Sequence, residues 1–425
     1  MRHAPPPRTP PSQVRQANYL ILPHVKSRVL EAAMHATRGA GGETLGVTLD
    51  NLRAAASLAR GETDIAASQC LFAQAFRQLA HRDAQLLRTV WDGDRVFQVN
   101  FVGEDGVDAG GVFRDAVTRV TDDLFSPRFA LFAPCPNARH ATGLNGEKYV
   151  PSASALALQQ LAFVGRLMGI SLRTRLALPF ELPSLVWKRL IGLDANLDDL
   201  RAIDNITCQF LEAIRTCEHE GIHSDAAFDA QYGDKLVFTY TGSDGVEREL
   251  IPGGRERTVT FRNRHAFCDL VESRRLHEFD EQIAAMARGL GDIVPLSALR
   301  LFTWDQLEVA VAGDPAFDLD LWRAHTEYKG FDADGETVAL FWRVLGSLTP
   351  QEQSGFVRFA WGRSRLPPLA HWTTNMKLSN RGNAALPVSH TCFFSVELPD
   401  YKTEDEMRRG LLTAIHFGAC GILNA

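Results

Sequence analysis

The sequence predicts an α+β chain in two parts: a larger, mostly helical part with a small α+β insertion, and a smaller C-terminal part mixing helices and strands. Three observations predict it. Apolar residues recur at helical spacing through much of the first 312 positions. Gly242-Ser243-Asp244-Gly245, flanked by strand-like residues at 235–241 and 247–250, is a hairpin signal inside that helical stretch. Ala312-Gly313-Asp314-Pro315-Ala316 cannot continue a helix, because proline restricts the residue before it and removes a backbone donor, so it reads as a linker.

The elements follow in order. Residues 1–13 are rich in proline, a composition that predicts disorder, and 14–60 read as short Ala-rich helices around a glycine break at 39–42. Apolar spacing predicts a helix within 64–89, with Asp64 as its cap. Residues 97–102 alternate and read as a strand, followed by the Gly- and carboxylate-rich loop 103–111 and a helix over 112–124. The 156–172 run is strongly apolar at helical spacing. Its Gly165 and Gly169, four apart, predict a close approach by a second helix. A helix over 207–218, the hairpin, a strand at 258–261 and helices over 265–290 and 303–311 complete the larger part. Beyond the linker come helices at 336–348 and 350–360, strands around Cys392, and a helix at 404–415 opened by the capping pair Thr403 and Glu406.

Composition bounds the function. At 425 residues, with 45% hydrophobic and 23% charged residues, the chain has the balance of a globular protein of two or three domains. A net charge of −6 gives no basic footprint for nucleic acid. No apolar run reaches the ~18 residues of a spanning helix, so no membrane insertion is expected. The prolines at 5–7 stand where a secretory signal needs apolar residues, so a cytoplasmic or nuclear location is expected. The seven cysteines are scattered, odd in number and without a Cys-x-x-Cys pair, which argues against a disulfide framework or a structural zinc site.

Among them Cys392 stands out. His390 and Thr391 precede it, two phenylalanines follow, and a Gly/Asn-rich stretch leads into it. The ordinary reading of a free cysteine is a buried thiol. The polar neighbours and the loop instead suggest an exposed nucleophile. A protease would need a histidine base and an orienting partner, and no protease signature accompanies this cysteine. Exchange of thioesters needs less help, because the acyl group is already activated. The 103–111 loop lacks the lysine of a phosphate cradle and the register of a calcium loop, so it reads as a structural turn. His219 and His223 lack a third ligand nearby.

Leu386-Pro387-x-Ser389-His390-Thr391-Cys392-Phe393, followed by Leu398-Pro399-x-Tyr401, closely resembles the active-site signature of HECT-type ubiquitin ligases. Four earlier groups of residues, in order, resemble the same family. They are Phe101-x-Gly103-Glu104-x-Gly106-Val107-Asp108-x-Gly110-Gly111-x-x-Arg114; Phe163-Val164-Gly165-Arg166-Leu167-x-Gly169; Leu250-x-Pro252-Gly253-Gly254 on to Asn263-Arg264; and the segments Thr326-Glu327-Tyr328, Phe341-Trp342 and Phe359-x-x-Gly362-x-Ser364-Arg365. Leu131-Phe132-x-Pro134-x-Pro136-Asn137-x-Arg139 resembles the HERC-like branch.

The resemblance implies a bilobed fold. It would comprise an N-terminal extension at 1–65, an N-lobe at 66–312, a hinge at 313–316 formed by Gly313, Asp314 and Pro315, and a C-lobe at 317–425. The small subdomain at 198–264 would bind the ubiquitin-conjugating enzyme, with Leu211 and Ile214 lining its apolar groove. Cys392 would accept ubiquitin as a thioester and pass it to a substrate lysine. His390 and Thr391 would shape the thiol's surroundings. No cofactor or metal is implied. Two positions depart from the family pattern: Phe394 stands where many members have asparagine, and Ile422 where a phenylalanine is often tied to the final transfer. They favour an alternative, a transfer-deficient module that binds ubiquitin or its conjugating enzyme.

Overall fold

The computed structural model describes residues 17–39, 44–62, 68–91, 94–103, 111–126, 129, 131–154, 157–233, 236–313, 318–361, 375–390 and 394–418. Among these residues the apolar side chains gather in three cores.

The largest core forms around helices Leu158–Thr174 and Asp280–Ile293. Gly165, Gly169 and Gly289 let them touch almost backbone to backbone: a Cβ on Gly165 would fall 2.7 Å from the Leu290 nitrogen. The close approach predicted from the 165/169 spacing is present, and Gly289 supplies the matching surface. Arg173 closes the far end of the first helix. Its guanidinium donates to the carbonyls of Ile293, Met34 and Arg88, gathering three chain segments at one cation.

The described residues of helix 23–36 and strand 45–49 belong to this core rather than forming an extension. Strand β1 (Leu45–Leu49) pairs in parallel with β2 (Phe97–Phe101), Leu45 opposite Phe97, and Val47 and Leu49 are buried. Helix Pro23–Ala36 buries Leu30, and its Lys26 donates to Gln306 at 2.7 Å. The lobe therefore begins well before position 66. The strand was hidden by the adjoining glycine break and Ala-rich run, which suggested helix. The helix expected within 64–89 is shorter, Leu71–Leu79, capped by the Cys70 side chain and followed by a 3-10 turn at Ala84–Arg88. Asp64 lies outside the described residues. Strands β3 (Phe132–Pro134) and β4 (Tyr149–Pro151) form a short antiparallel pair at the edge of this core.

The second core is the small subdomain. Helix Asn205–Arg215 starts at Asp204, whose carboxylate accepts from the Thr207 amide at 3.1 Å. The predicted hairpin is β5 (Thr239–Thr241) and β6 (Glu247–Glu249), antiparallel across the 242–245 turn. Gly245 takes φ +77, the left-handed backbone that glycine tolerates without cost. The strand expected at 258–261 is reduced to one bridge between Val237 and Thr258. The helix expected over 265–290 is two, Arg264–Leu276 and Asp280–Ile293. A buried polar joint ties subdomain to core: Arg275 pairs with Asp204 at 2.6 Å and with Glu278, and Glu278 accepts from the Ser243 amide at 2.7 Å.

Helix Trp304–Ala312 ends at Gly313, φ +85. Asp314 and Pro315 of the expected hinge lie outside the described residues. The third core follows. Its sheet runs in the order β7 (Thr326–Lys329), β8 (Met376–Asn380), β10 (Ser395–Leu398), β9 (Val388–His390). Helices Glu336–Ser347, Pro350–Trp361 and Glu404–Gly418 pack around it. The last begins with the predicted capping box: Glu406 accepts from the Thr403 amide at 3.2 Å, and its own amide donates to the Thr403 hydroxyl at 3.3 Å.

Candidate active site

Ser395 of β10 lies opposite His390 of β9, so residues 391–394 connect the two strands at the margin of the C-terminal sheet. Thr391, Cys392 and Phe393 lie outside the described residues, as do Cys420 and Ile422. What the structure fixes is the ground on either side of them. His390 ends β9 with its ring half exposed, and its Nε2 lies 3.3 Å from Glu397 Oε1 on β10. Ser389 is buried beside it.

On the other side stands Phe394. Its φ is +46, a left-handed conformation that costs a residue with a Cβ roughly 1–2 kcal/mol. Three contacts hold it there. Its ring stacks on Trp361 at 4.2 Å and 12°, with Trp322 beyond at 6.2 Å and 20°. Its carbonyl accepts from the Lys377 amide at 2.9 Å. The side chain is 1% exposed. Aromatic stacking beyond the area buried contributes about 0.5–1.5 kcal/mol per pair, which offsets the backbone cost.

The described cysteines offer no exposed thiol, and Cys392 and Cys420 lie outside them. Cys70, Cys135, Cys208, Cys217 and Cys268 are all buried free thiols. Burial pushes Cys70, Cys208 and Cys268 up to about 11, with Asp123 adding to it at Cys70, Asp204 adding to it at Cys208, and Arg215 opposing it at Cys268. At such values only about one thiol in 10⁴ is ionised at pH 7, too few for a nucleophile. Burial also raises Cys135 and Cys217.

A second surface lies on the small subdomain. A groove of about 350 Å³ is lined by Phe210, Leu236, Tyr240, Thr241, Phe267 and Val271, among others. Phe210 is 41% exposed and Ile206, one turn away, 45%. Leu211 and Ile214, expected to line a partner groove, are instead fully buried in the subdomain core, and Cys208 on the same helix is buried in the large core. The helix is apolar on two faces. Positions 208, 211 and 214 face the core, and 206 and 210 face out.

The lobes meet at an ion pair. Arg358 of helix Pro350–Trp361 bonds to Asp122, the last residue of helix Gly111–Asp122. A cavity of about 510 Å³ opens beside it, lined among others by Ser57, Cys70, Arg119, Asp123 and Arg358. Burial pushes the Asp122 carboxyl up to about 6; Arg358 opposes the shift, and Asp123 and Asp115 add to it.

Three packed cores among the described residues, with Cys392 placed by the sequence in the connection between β9 and β10, fit the bilobed arrangement that the motifs implied. The model of the HECT domain, a ubiquitin-transferase family, matches residues 118–422, and the chain belongs to that family. Its relatives include the human E3 ubiquitin-protein ligase HERC2, 34% identical over 76% of this chain and 7% of its own length. Human probable E3 ubiquitin-protein ligase HECTD4 is 30% identical over 95% of this chain and 11% of its own length. The Schizosaccharomyces pombe E3 ubiquitin-protein ligase ptr1 is 27% identical over 83% and 11%. The chain thus spans about a tenth or less of the length of these relatives. Among the described residues, no helix is long and apolar enough to cross a membrane.

Proposed function

We propose that this chain transfers ubiquitin through a thioester on Cys392. The Cys392 thiolate attacks the thioester carbonyl that joins ubiquitin to a conjugating enzyme. A new C–S bond forms at Cys392, and the donor's cysteine leaves as thiolate. A lysine amine of the acceptor protein then attacks the new thioester. An isopeptide bond forms, the amine gives up its proton to solvent, and the Cys392 thiolate departs.

The observation that carries this reading is the family match across 118–422, which includes Cys392, together with the burial of the five described cysteines. His390, half exposed and beside Glu397, offers a polar neighbour to the connection that holds the nucleophile. The groove around Phe210 is the docking place we assign to the conjugating enzyme: exposed apolar side chains in a concave surface suit an apolar loop of a partner. The hinge at 313–316 lets one thiol serve a donor and an acceptor in turn. A reducing compartment, cytoplasmic or nuclear, belongs to the same reading, because the nucleophile must stay a thiol.

The test is intact-mass measurement after mixing with charged conjugating enzyme. The wild-type chain should gain one ubiquitin, lost on adding a thiol reductant, and Cys392→Ala should gain none. An adduct that persists in Cys392→Ala refutes the assignment. Loading without discharge to free lysine would support the binding-module alternative instead.

A further inference from the structure

We infer that Phe394 is a positioning residue for thioester transfer, held by Trp361 and Trp322 so that it sets how the chain leaves the nucleophile. The inference rests on the reading that Cys392 takes ubiquitin. Left-handed backbone at a large apolar residue persists only where the surroundings overdetermine it, and such residues cluster at functional sites. Asp94, Ala141, Asn145 and Arg175 are the other positive-φ residues with a side chain among those described, and Phe394 alone among the five is a large apolar one. Its ring is stacked on Trp361 at 4.2 Å and 12° and faces Trp322 at 6.2 Å. Its carbonyl is fixed by the Lys377 amide of β8, and the next residue, Ser395, is already paired with His390.

The two strands therefore pin both ends of the connection, and among the described residues its left-handed dihedral falls two residues after the cysteine. A sequence that only needed to start β10 would have no use for a left-handed turn at a buried aromatic. The stack instead holds a single backbone direction at the exit of the connection, the kind of restraint that keeps a nucleophile aimed at a protein-sized donor.

The experiment compares single-turnover loading from charged conjugating enzyme for wild type, Phe394→Ala, Phe394→Asn and Trp361→Leu in the full chain. Alkylation of Cys392 by iodoacetamide, followed by peptide mapping, is measured beside it. Phe394→Ala loses both the stack and the ring's hold on the left-handed turn, and loading should fall at least about tenfold, a barrier increase near 1.4 kcal/mol. Asparagine tolerates that backbone without a stack, so Phe394→Asn should load faster than Phe394→Ala. Trp361→Leu keeps Phe394 and removes its nearer partner; it should slow loading several-fold even if Phe394→Ala fails to fold. Alkylation, which needs no protein donor, should change less than about twofold in the folded variants, whereas a lobe merely loosened would react faster.

Wild-type loading rates in Phe394→Ala or Trp361→Leu would overturn the inference. So would Phe394→Asn loading no faster than Phe394→Ala. If wild type forms no reducible adduct, or Cys392→Ala still forms one, the functional reading has failed and this inference falls with it.

Discussion

Replacing Gly165 by alanine should force apart two helices whose backbones now touch. The added methyl would lie 2.7 Å from the Leu290 nitrogen and 2.8 Å from the Met286 carbonyl carbon, against an ordinary separation near 3.5 Å or more. Both obstacles are backbone inside a helix, so no rotamer change relieves them, and the 280–293 helix must shift by most of an ångström. Overpacking of this kind costs about 1–3 kcal/mol and more where the obstacle is rigid, while alanine's helix preference returns about 1 kcal/mol. A net loss of about 2 kcal/mol should lower the melting temperature of the larger lobe by roughly 3–4 °C, because in a lobe of about 300 residues each kcal/mol moves Tm by about 1.5–2 °C. Gly291→Ala is the control on the same pair of helices. Its methyl would meet only the Leu296 side chain, at 3.1 Å from Cδ1, so the helix preference should dominate and Tm should hold or rise. Calorimetry on the full chain separates the lobe transitions. A Gly165→Ala protein melting within about 2 °C of wild type would refute the claim that this contact sets the spacing of the core.

Two further predictions concern the lobes and the partner surface. Asp122 holds its proton more tightly with the lobes docked than when exposed to water, since its carboxyl is pushed up to about 6 by burial. Its contribution to docking should thus be fully present below about pH 4 and lost as pH rises through about 6. The shift is worth about 3 kcal/mol before screening, and about half that is expected with the Asp122 and Arg358 side chains 26% and 35% exposed. Fluorescence energy transfer between labels on the two lobes should report weaker docking at pH 7.5 than at pH 5.5, with Asp122→Asn abolishing the difference; an unchanged pH response in Asp122→Asn would rule the carboxylate out. On the small subdomain, Phe210→Ala should weaken conjugating-enzyme binding by tenfold or more with little change in Tm, as expected for an exposed aromatic anchor. Leu211→Ala, one residue on, should instead cost about 2–5 kcal/mol of stability as a buried truncation. Titration calorimetry and thermal scans on the pair would expose a reversed assignment at once.

Those contrasts also mark what the sequence could show. Local signals carried through wherever one short segment contains its whole cause. The Gly-Ser-Asp-Gly turn specifies its hairpin, Thr403 and Glu406 cap their helix, and Gly165 with Gly169 announces a close neighbour. The identity of that neighbour depended on Gly289, more than a hundred positions on, and nothing at 165 points there. The groove residues failed for a subtler reason. Helix 205–215 is apolar on both faces, so periodicity identifies the helix but not which stripe faces solvent; only the packing of Leu211 and Ile214 with Phe228 and Phe267, and of Cys208 in the large core, decides it. Strand β1 was masked in the same way, since its parallel partner lies beyond two intervening helices, Asn51–Ala59 and Leu71–Leu79, and leaves no turn in the sequence to signal the pairing.

Phe394 is the sharpest case. By propensity, an aromatic before Ser395-Val396-Glu397-Leu398 reads as the first residue of a strand, and left-handed backbone is what its side chain disfavours most. The local rule loses because Trp322 and Trp361, on helices packed over the sheet, capture the ring, and Lys377 captures the carbonyl. Breaking a local preference needs compensation from elsewhere in the fold, and such compensation is selected where a single geometry matters. Under the inference drawn for Phe394, the departure from a family asparagine, which from sequence alone favours lost transfer, would take the opposite meaning. Asparagine would reach the same turn through its own tolerance of it, whereas this chain reaches it through an aromatic stack. On that account the ring at 394 would support transfer by holding the turn fixed, and the loading rates of Phe394→Ala and Phe394→Asn decide between the two meanings.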